Sequence, residues 1–193
     1  MADTKNGGVV EGGEEILTLA DTCTTDDIEE AVKGFLLGDL TLAQLEGMTA
    51  ENLYSIADLG YDFLEEGKYD NAQKIFEGLN VYNPYDSYFH AALGSIYQKQ
   101  GRKDDAILRY QAATELYPED INSWTNLGEV LLERSTEVHK EGDSISAVQI
   151  FTAAIDAFKK VMELDPKAAT PSGLRARALI EVTATIAKAR GAA

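Results

Sequence analysis

The chain is poor in the residues that indicate disulfides, metal sites or nucleic-acid binding. Of its 193 residues one is cysteine and two are histidine, and 17 basic side chains stand against 33 acidic ones, for a net charge of −16. A single cysteine, Cys23, excludes an intrachain disulfide framework and fits a reducing compartment. Phosphate binding needs clustered lysine and arginine, so the acidic balance argues against nucleic acid as a partner. We therefore expect a cytoplasmic protein with no nucleic-acid partner.

Long apolar runs are also missing from the sequence. The patch at residues 34–38 is too short to cross a membrane. The acidic, glycine-rich N-terminus has no basic region followed by an apolar one, so no signal peptide is indicated. This pattern predicts no stable membrane insertion.

Signatures of catalysis are absent as well. The sequence has neither a glycine-rich phosphate loop nor a nucleophile elbow. His90 falls at a helix-packing position, and His139 has no cysteine or second histidine at ligand spacing. We therefore predict a non-enzyme with no catalytic residue, no metal site and no cofactor.

What the sequence does contain is a pattern that recurs after 34 residues. Eight positions of the first copy, Ile56, Leu59, Gly60, Phe63, Ala72, Phe76, Leu79 and Pro84, match His90, Leu93, Gly94, Tyr97, Ala106, Tyr110, Ala113 and Pro118. This period, with two helical patterns per unit, is typical of the tetratricopeptide repeat (TPR), a hairpin of two helices. The small residues Gly60 and Ala72 let the paired helices approach closely. The predicted fold class is therefore all-α, a TPR helical-hairpin solenoid.

A third copy of the pattern begins at Ile121 and is longer than the others. Its closing proline is Pro166 where position 152 is expected, so fourteen residues are extra. The turn glycine, Gly142, comes seven residues late, which accounts for half of the excess. Seven residues are about two helical turns and nearly preserve the facing of a helix. We predict a third hairpin in which each helix is about two turns longer than usual.

The predicted organisation has four parts. They are a disordered acidic tail (1–24), an N-terminal helical segment (25–52), three TPR repeats (53–86, 87–120 and 121–166) and a C-terminal capping helix (167–193). The N-terminal segment carries an apolar stripe, Ile28, Val32, Phe35 and Leu36, which must be buried against the repeats or against another copy of the chain. The predicted apolar face of the last helix is Leu174, Ala178, Leu179, Val182 and Ile186.

The predicted binding surface lies on the first helix of each repeat, because stacked TPR hairpins expose one face of these helices along a concave groove. The predicted groove residues are Tyr54, Ala57, Asp58, Tyr61 and Leu64 in the first repeat, Tyr88, Ala91, Ala92, Ser95 and Gln98 in the second, and Asn122, Thr125, Asn126 and Glu129 in the third. Tyrosines beside alanines form rings that alternate with shallow pockets, which suits an extended peptide with apolar side chains. The alternative is that Tyr54 and Tyr88 only pack against neighbouring helices.

Three stretches resemble the class II (translocator) chaperones of bacterial type III secretion. They are residues 51–55, residues 67–72 and, above all, residues 81–89 with Leu93 and Gly94. The resemblance spans about residues 45–133 and implies three TPRs behind an N-terminal helical segment. It also implies a bacterial cytoplasmic protein, tied to virulence, that binds an extended segment of a hydrophobic translocator protein in its groove and keeps that client soluble before export. The family further implies a homodimer formed through residues 25–48.

A second interpretation stays open at this stage. The same repeats would serve a general TPR adaptor that joins the subunits of another bacterial secretion or pilus assembly. The longer third repeat and the basic last helix depart from the chaperone pattern and leave room for such a role.

Overall fold

The computed structural model describes residues 24–191, with side chains through residue 185, and the chain divides into two compact units at Gly47 and Met48. The regular elements of the described range are α-helices. Their bounds are α1 (Thr25–Leu37), α2 (Leu42–Leu45), α3 (Ala50–Glu65), α4 (Tyr69–Tyr82), α5 (Ser87–Lys99), α6 (Lys103–Leu116), α7 (Ile121–Lys140), α8 (Ser144–Leu164) and α9 (Pro171–Gly191). The predicted acidic tail, apart from Thr24, and Cys23 lie outside the described residues.

The unit that ends at Gly47 contains α1 and α2. A capping box starts α1, since the Thr24 side chain accepts from the Asp27 N–H and the Asp27 carboxylate accepts from the Thr24 N–H at 2.9 Å. Gly38, with φ of 82°, ends the helix in the left-handed region. The apolar stripe of α1 is open, and Ile28 and Leu36 are 52% and 76% exposed.

The unit that begins at Met48 consists of three helical hairpins, α3–α4, α5–α6 and α7–α8, followed by α9. Each second helix contacts the first helix of its own hairpin and the first helix of the next one. The first helices α3, α5 and α7 lie side by side, and α9 packs against both helices of the third hairpin. The first helices therefore share one face of this unit, as a TPR solenoid requires.

Close packing within each hairpin depends on a glycine of the first helix. A Cβ atom placed on Gly94 would lie 2.8 Å from the ring of Tyr110, and one on Gly128 would lie 2.5 Å from the ring of Phe158. Gly60 is hemmed in similarly by the second helix of its own hairpin. Tyr110 and Phe158 are fully buried by this approach. The prediction of TPR hairpins is confirmed.

The third hairpin is longer than the others by the predicted amount. Helix α7 has 20 residues against 13 in α5, and α8 has 21 against 14 in α6, so each gains seven. The added turns bring Arg134 and Glu137 level with the turn between α5 and α6. There Arg134 donates to Asp104 at 2.8 Å, and Lys103 pairs with Glu137.

Two equivalent residues donate a hydrogen bond from a ring nitrogen to the backbone of the turn between successive hairpins. His90 is buried and donates from Nε2 to the carbonyl oxygen of Pro84 at 2.8 Å. Trp124, at the same position of the next repeat, donates from Nε1 to the carbonyl of Pro118 at 2.9 Å. His90 therefore makes a structural contact.

The predicted apolar face of the last helix is wrong at Leu174, Ala178 and Val182, whereas Leu179 packs against the core. Leu174 and Val182 are 53% and 55% exposed, whereas Ser172, Gly173 and Ala176 are buried. A Cβ atom on Gly173 would lie 3.1 Å from the backbone of Ala168, so small residues allow an approach that leucine would block. The other predicted members are the exposed Ala178, the half-buried Leu179 and Ile186, whose side chain lies outside the described residues.

Asp165 fixes the start of this last helix. Its carboxylate is buried and accepts the N–H groups of Ala169 and Thr170, each at 2.9 Å. These hydrogen bonds hold the pKa of Asp165 below its usual range because they favour the charged form. The chain is thereby turned so that Ser172 contacts α7 and Gly173 packs against Asp165 and Ala168.

Candidate functional site

The surface formed by α3, α5 and α7, here called the first-helix face, contains the predicted groove residues at three levels of burial. Five are exposed (Tyr54, Asp58, Tyr61, Tyr88, Asn122), six are half-buried (Leu64, Ala91, Ser95, Gln98, Asn126, Glu129) and three are buried (Ala57, Ala92, Thr125). The three buried residues offer little surface to a ligand. The others differ in chemistry between the two ends of the face.

The first two hairpins carry a cluster of aromatic rings. The ring centroids of Tyr54 and Tyr88 lie 6.0 Å apart, and both rings pack against Phe89 at 5.8 Å and 6.1 Å. Phe89 is fully buried, whereas Tyr54 and Tyr88 remain 44% and 39% exposed. The two tyrosines thus pack on their neighbours and still present ring surface. Tyr61, on the same face, is 47% exposed.

Polar contacts fix the orientation of these rings. The Tyr54 hydroxyl donates to Asp86 at 2.8 Å, and Asp86 also accepts the backbone N–H of Tyr88 as the N-cap of α5. Burial and the Asp86 hydrogen bond together raise the pKa of Tyr54 to about 12. Burial also raises the pKa of Tyr88, and the nearby Tyr61 and Asp58 act in the same direction. These rings are held in place before any ligand arrives.

Sequence reasoning missed Phe89 and Asp86 as parts of this cluster. A signal for Asp86 existed, because Asp120 lies 34 residues further on and caps α7 in the same way. The role of Phe89 had no such signal, since the equivalent residue of the next repeat is Ser123.

The third-hairpin end of the face is polar and is partly covered by α9. Ser172 donates to Asn122 at 2.6 Å, and its carbonyl lies 3.4 Å from the Thr125 hydroxyl. Arg175 donates to Asn126 at 3.3 Å, and its Nε lies 3.5 Å from a carboxylate oxygen of Glu129. The last helix therefore takes up part of the surface that the sequence assigned to the groove.

Tyr110 adds a hydroxyl to this polar end, although its repeat position predicts only a core ring. Its hydroxyl donates to Gln98 at 3.2 Å and lies within reach of Ser95 and Asn126. Burial raises the pKa of Tyr110, so the phenol stays protonated and acts as a donor near neutral pH. We call Ser95, Gln98, Tyr110, Asn126, Glu129 and Arg175 the polar cluster.

No metal-binding group is found in the described part of the chain, which holds no set of three or more His, Cys, Asp or Glu side chains with suitable geometry. His139 has its Nδ1 at 3.4 Å from the Ser144 hydroxyl. Among residues 24–191, no helix is both long and apolar enough to span a membrane.

Comparisons with known proteins agree with this geometry. The TPR repeat family model matches residues 94–134. The Low calcium response locus protein H of Yersinia pestis is 34% identical over 90 residues, which is 47% of this chain and 54% of that protein. The resemblance to translocator chaperones is confirmed. The chain spans about half the length of the curated relatives it matches.

Solved structures extend the likeness to most of the chain. A T3SS complex from Aeromonas hydrophila aligns with a TM-score of 0.67 and 26% identity, covering 82% of this chain and 98% of that one. The type III secretion translocator chaperone SycD of Yersinia enterocolitica aligns with a TM-score of 0.60 and 24% identity, covering 74% and 98%. At 24% identity, the match to SycD is a likeness of fold. Both matches cover nearly the whole of the solved chain.

Proposed function

We propose that this chain is a bacterial cytoplasmic chaperone of type III secretion that binds hydrophobic translocator proteins and keeps them soluble before export. The client would lie as an extended segment along the first-helix face. The proposed contacts are the predicted groove residues that remain open to solvent. Binding requires no cofactor and no chemical step, and we propose that the chain is not an enzyme.

The observation that carries this proposal is the set of exposed, oriented tyrosine rings on the first two hairpins. Tyr54, Tyr61 and Tyr88 each keep more than a third of their surface exposed. The buried ring of Phe89 packs against Tyr54 and Tyr88, and the Asp86 carboxylate accepts a hydrogen bond from the Tyr54 hydroxyl. Rings fixed in this way bind apolar side chains at a low cost in conformational entropy. A hydrophobic segment of a membrane-active protein fits such a surface.

The structural neighbours support the class of client. One structure of SycD contains a peptide of the translocator YopD, and two structures of PcrH contain the chaperone-binding regions of PopB and PopD. These proteins are 23% to 24% identical to this chain and share its fold. We infer a translocator as the client by analogy with them.

We also propose that the protein forms a homodimer through residues 25–48. The apolar stripe of α1 supports this, because Phe35, Leu36 and Leu37 are 41%, 76% and 66% exposed. An exposed stripe of this kind marks an interaction surface.

Co-purification from the native host tests the function. The tagged chain should retain a protein with membrane-spanning segments, identified by mass spectrometry, and Tyr61→Ala should retain much less of it. Tyr117→Ala is the matched control, because Tyr117 is a 51% exposed tyrosine at the end of α6, outside the first-helix face. Capture of soluble subunits of a secretion or pilus machine, equally by all three proteins, would favour the adaptor role.

A further inference from the structure

The polar cluster includes three side-chain oxygens that accept hydrogen bonds or pair with a cation. They belong to Gln98, Asn126 and Glu129. Gln98 already accepts from Tyr110, and Asn126 already accepts from Arg175. A set of acceptors that includes a carboxylate is suited to a ligand group with several donors and a positive charge.

Glu129 is the anion of this set and is poorly solvated. Its side chain is only 24% exposed, and burial raises its pKa. Glu133, one turn further along α7, acts in the same direction, while Arg175 opposes both. A carboxylate withdrawn from water in this way is stabilised most by a close positive charge.

Arg175 supplies that charge incompletely. Its Nε lies 3.5 Å from the Glu129 carboxylate, which is longer than the ~2.7–2.9 Å of a good charge-assisted hydrogen bond. The Arg175 side chain is 51% exposed, so its guanidinium stays close to solvent. Another guanidinium that takes its place at Glu129 can therefore displace it at small cost, whereas departure without a replacement would leave the poorly solvated carboxylate unpaired.

The two ends of the face are therefore suited to different groups of one extended ligand. The aromatic end offers ring surface, and the polar end offers a carboxylate with a loosely held cation. A guanidinium fits the polar end better than an ammonium does, because its planar fork can donate to Glu129 and Asn126 together.

We propose that the polar cluster is a specificity site for an arginine of the client segment, held by Glu129 and Asn126, and that Arg175 fills this site until the client arrives. The inference rests on the proposed function, since it assumes a peptide on the first-helix face. The client segment would then need an arginine at one position, in addition to the apolar side chains that bind the tyrosine rings.

Fluorescence anisotropy with a synthetic probe tests the site on the full chain. The host probe is a fluorescein-labelled peptide of alternating leucine and serine. A single arginine is moved along it, and each arginine peptide is paired with one that carries citrulline, a neutral side chain of the same shape. At one position arginine should bind wild type about tenfold more tightly than citrulline, as expected for hydrogen bonds to a charged group.

Three variants test which residue of the chain recognises the arginine. Glu129→Gln should abolish the preference for arginine, measured for each variant as the ratio of its affinities for the arginine and citrulline peptides. Glu141→Gln makes the same change in net charge at a 63% exposed residue near the tip of the third hairpin and should keep the preference. Arg175→Gln removes the competitor and should strengthen the preference a few-fold.

Each contrary outcome has a separate meaning. An equal preference in wild type and Glu129→Gln, or no preference at any position while the host peptide binds, overturns the arginine site and leaves the chaperone proposal standing. A preference lost in Arg175→Gln overturns the role given to Arg175. Failure of every peptide to bind wild type contradicts the proposed function and this inference with it.

Discussion

The two ends of the first-helix face are built from equivalent positions of one repeat and differ in chemistry. Tyr54 and Tyr88 of the first and second repeats are replaced by Asn122 in the third, and Tyr61 is replaced by Glu129. At the aromatic end the rings face solvent, whereas at the polar end α9 contacts the exposed Asn122 and lies against the buried Thr125. The repeat framework fixes where the surface is, and these few positions decide what it binds.

The same two ends also differ in how deeply equivalent apolar side chains are buried. Ile56 and Leu59 are 41% and 50% exposed in the first hairpin, while Leu93 and Leu127, which are equivalent to Leu59, are buried at 0% and 4%. The difference arises because a preceding second helix covers the later hairpins. The solenoid is therefore closed by α9 at its C-terminal end and presents apolar side chains at its first hairpin.

The largest expected effect comes from a change in the close helix packing next to the polar end of the face. Gly94→Leu should destabilise the fold by about 1–3 kcal/mol or more, because the new side chain collides with Tyr110, whose hydroxyl belongs to the polar cluster. Thermal melting measures the loss. Gly78→Leu is the control, since a Cβ atom at Gly78 meets nothing within 4 Å. Equal melting of Gly94→Leu and wild type would contradict the repeat register.

Removal of residues 1–48 tests the role of the N-terminal segment. If the N-terminal segment joins two copies, its removal should halve the molar mass seen by light scattering. If the shortened protein instead aggregates, the N-terminal segment is needed for solubility. A shortened protein that stays soluble with an unchanged number of chains per particle would show that the segment is passive.

The smallest expected effect concerns the orientation of the rings at the first end. The pKa of Tyr54, raised to about 12, lies above the ~10 of an unfolded tyrosine. Its contribution to stability is therefore complete below about pH 10 and is lost as pH rises towards the folded pKa. Absorbance of tyrosinate should show one late-ionising residue fewer in Tyr54→Phe, and Asp86→Ala should move that residue to lower pH. A late step unchanged in both variants would contradict the Tyr54–Asp86 bond.

The sequence predicted the features that depend on spacing along the chain. The offset of 34 residues located the hairpins, and the positions of Gly142 and Pro166 gave the seven-residue lengthening of each helix in the third one. These predictions succeeded because TPR packing repeats the same contacts between helices at fixed intervals.

Features that depend on contact across hairpins were not predictable in this way. Thr125 is buried because Ser172 lies against it. The sequence pattern did not place Ser172 on the packed face of α9, so this contact was not predicted. The Tyr110 hydroxyl reaches Gln98 and Asn126 only because three helices meet there. A pattern of large apolar residues placed the face of α9 on Leu174 and Val182, but close approach of Ser172 and Ala176 to the third hairpin prevailed.

The most direct test of the account is a titration of a labelled translocator segment, taken from the client that co-purifies, against wild type and Tyr61→Ala at two salt concentrations. Truncation of Tyr61 should weaken binding by about 1–3 kcal/mol, or roughly five- to 150-fold, because a few aromatic residues dominate such interfaces. Folding should hardly change, since the ring is 47% exposed. Higher salt should weaken binding much less than the truncation does, because screening acts mainly on exposed charges. Equal affinity of the two proteins, with strong salt dependence in both, would contradict binding on the first-helix face.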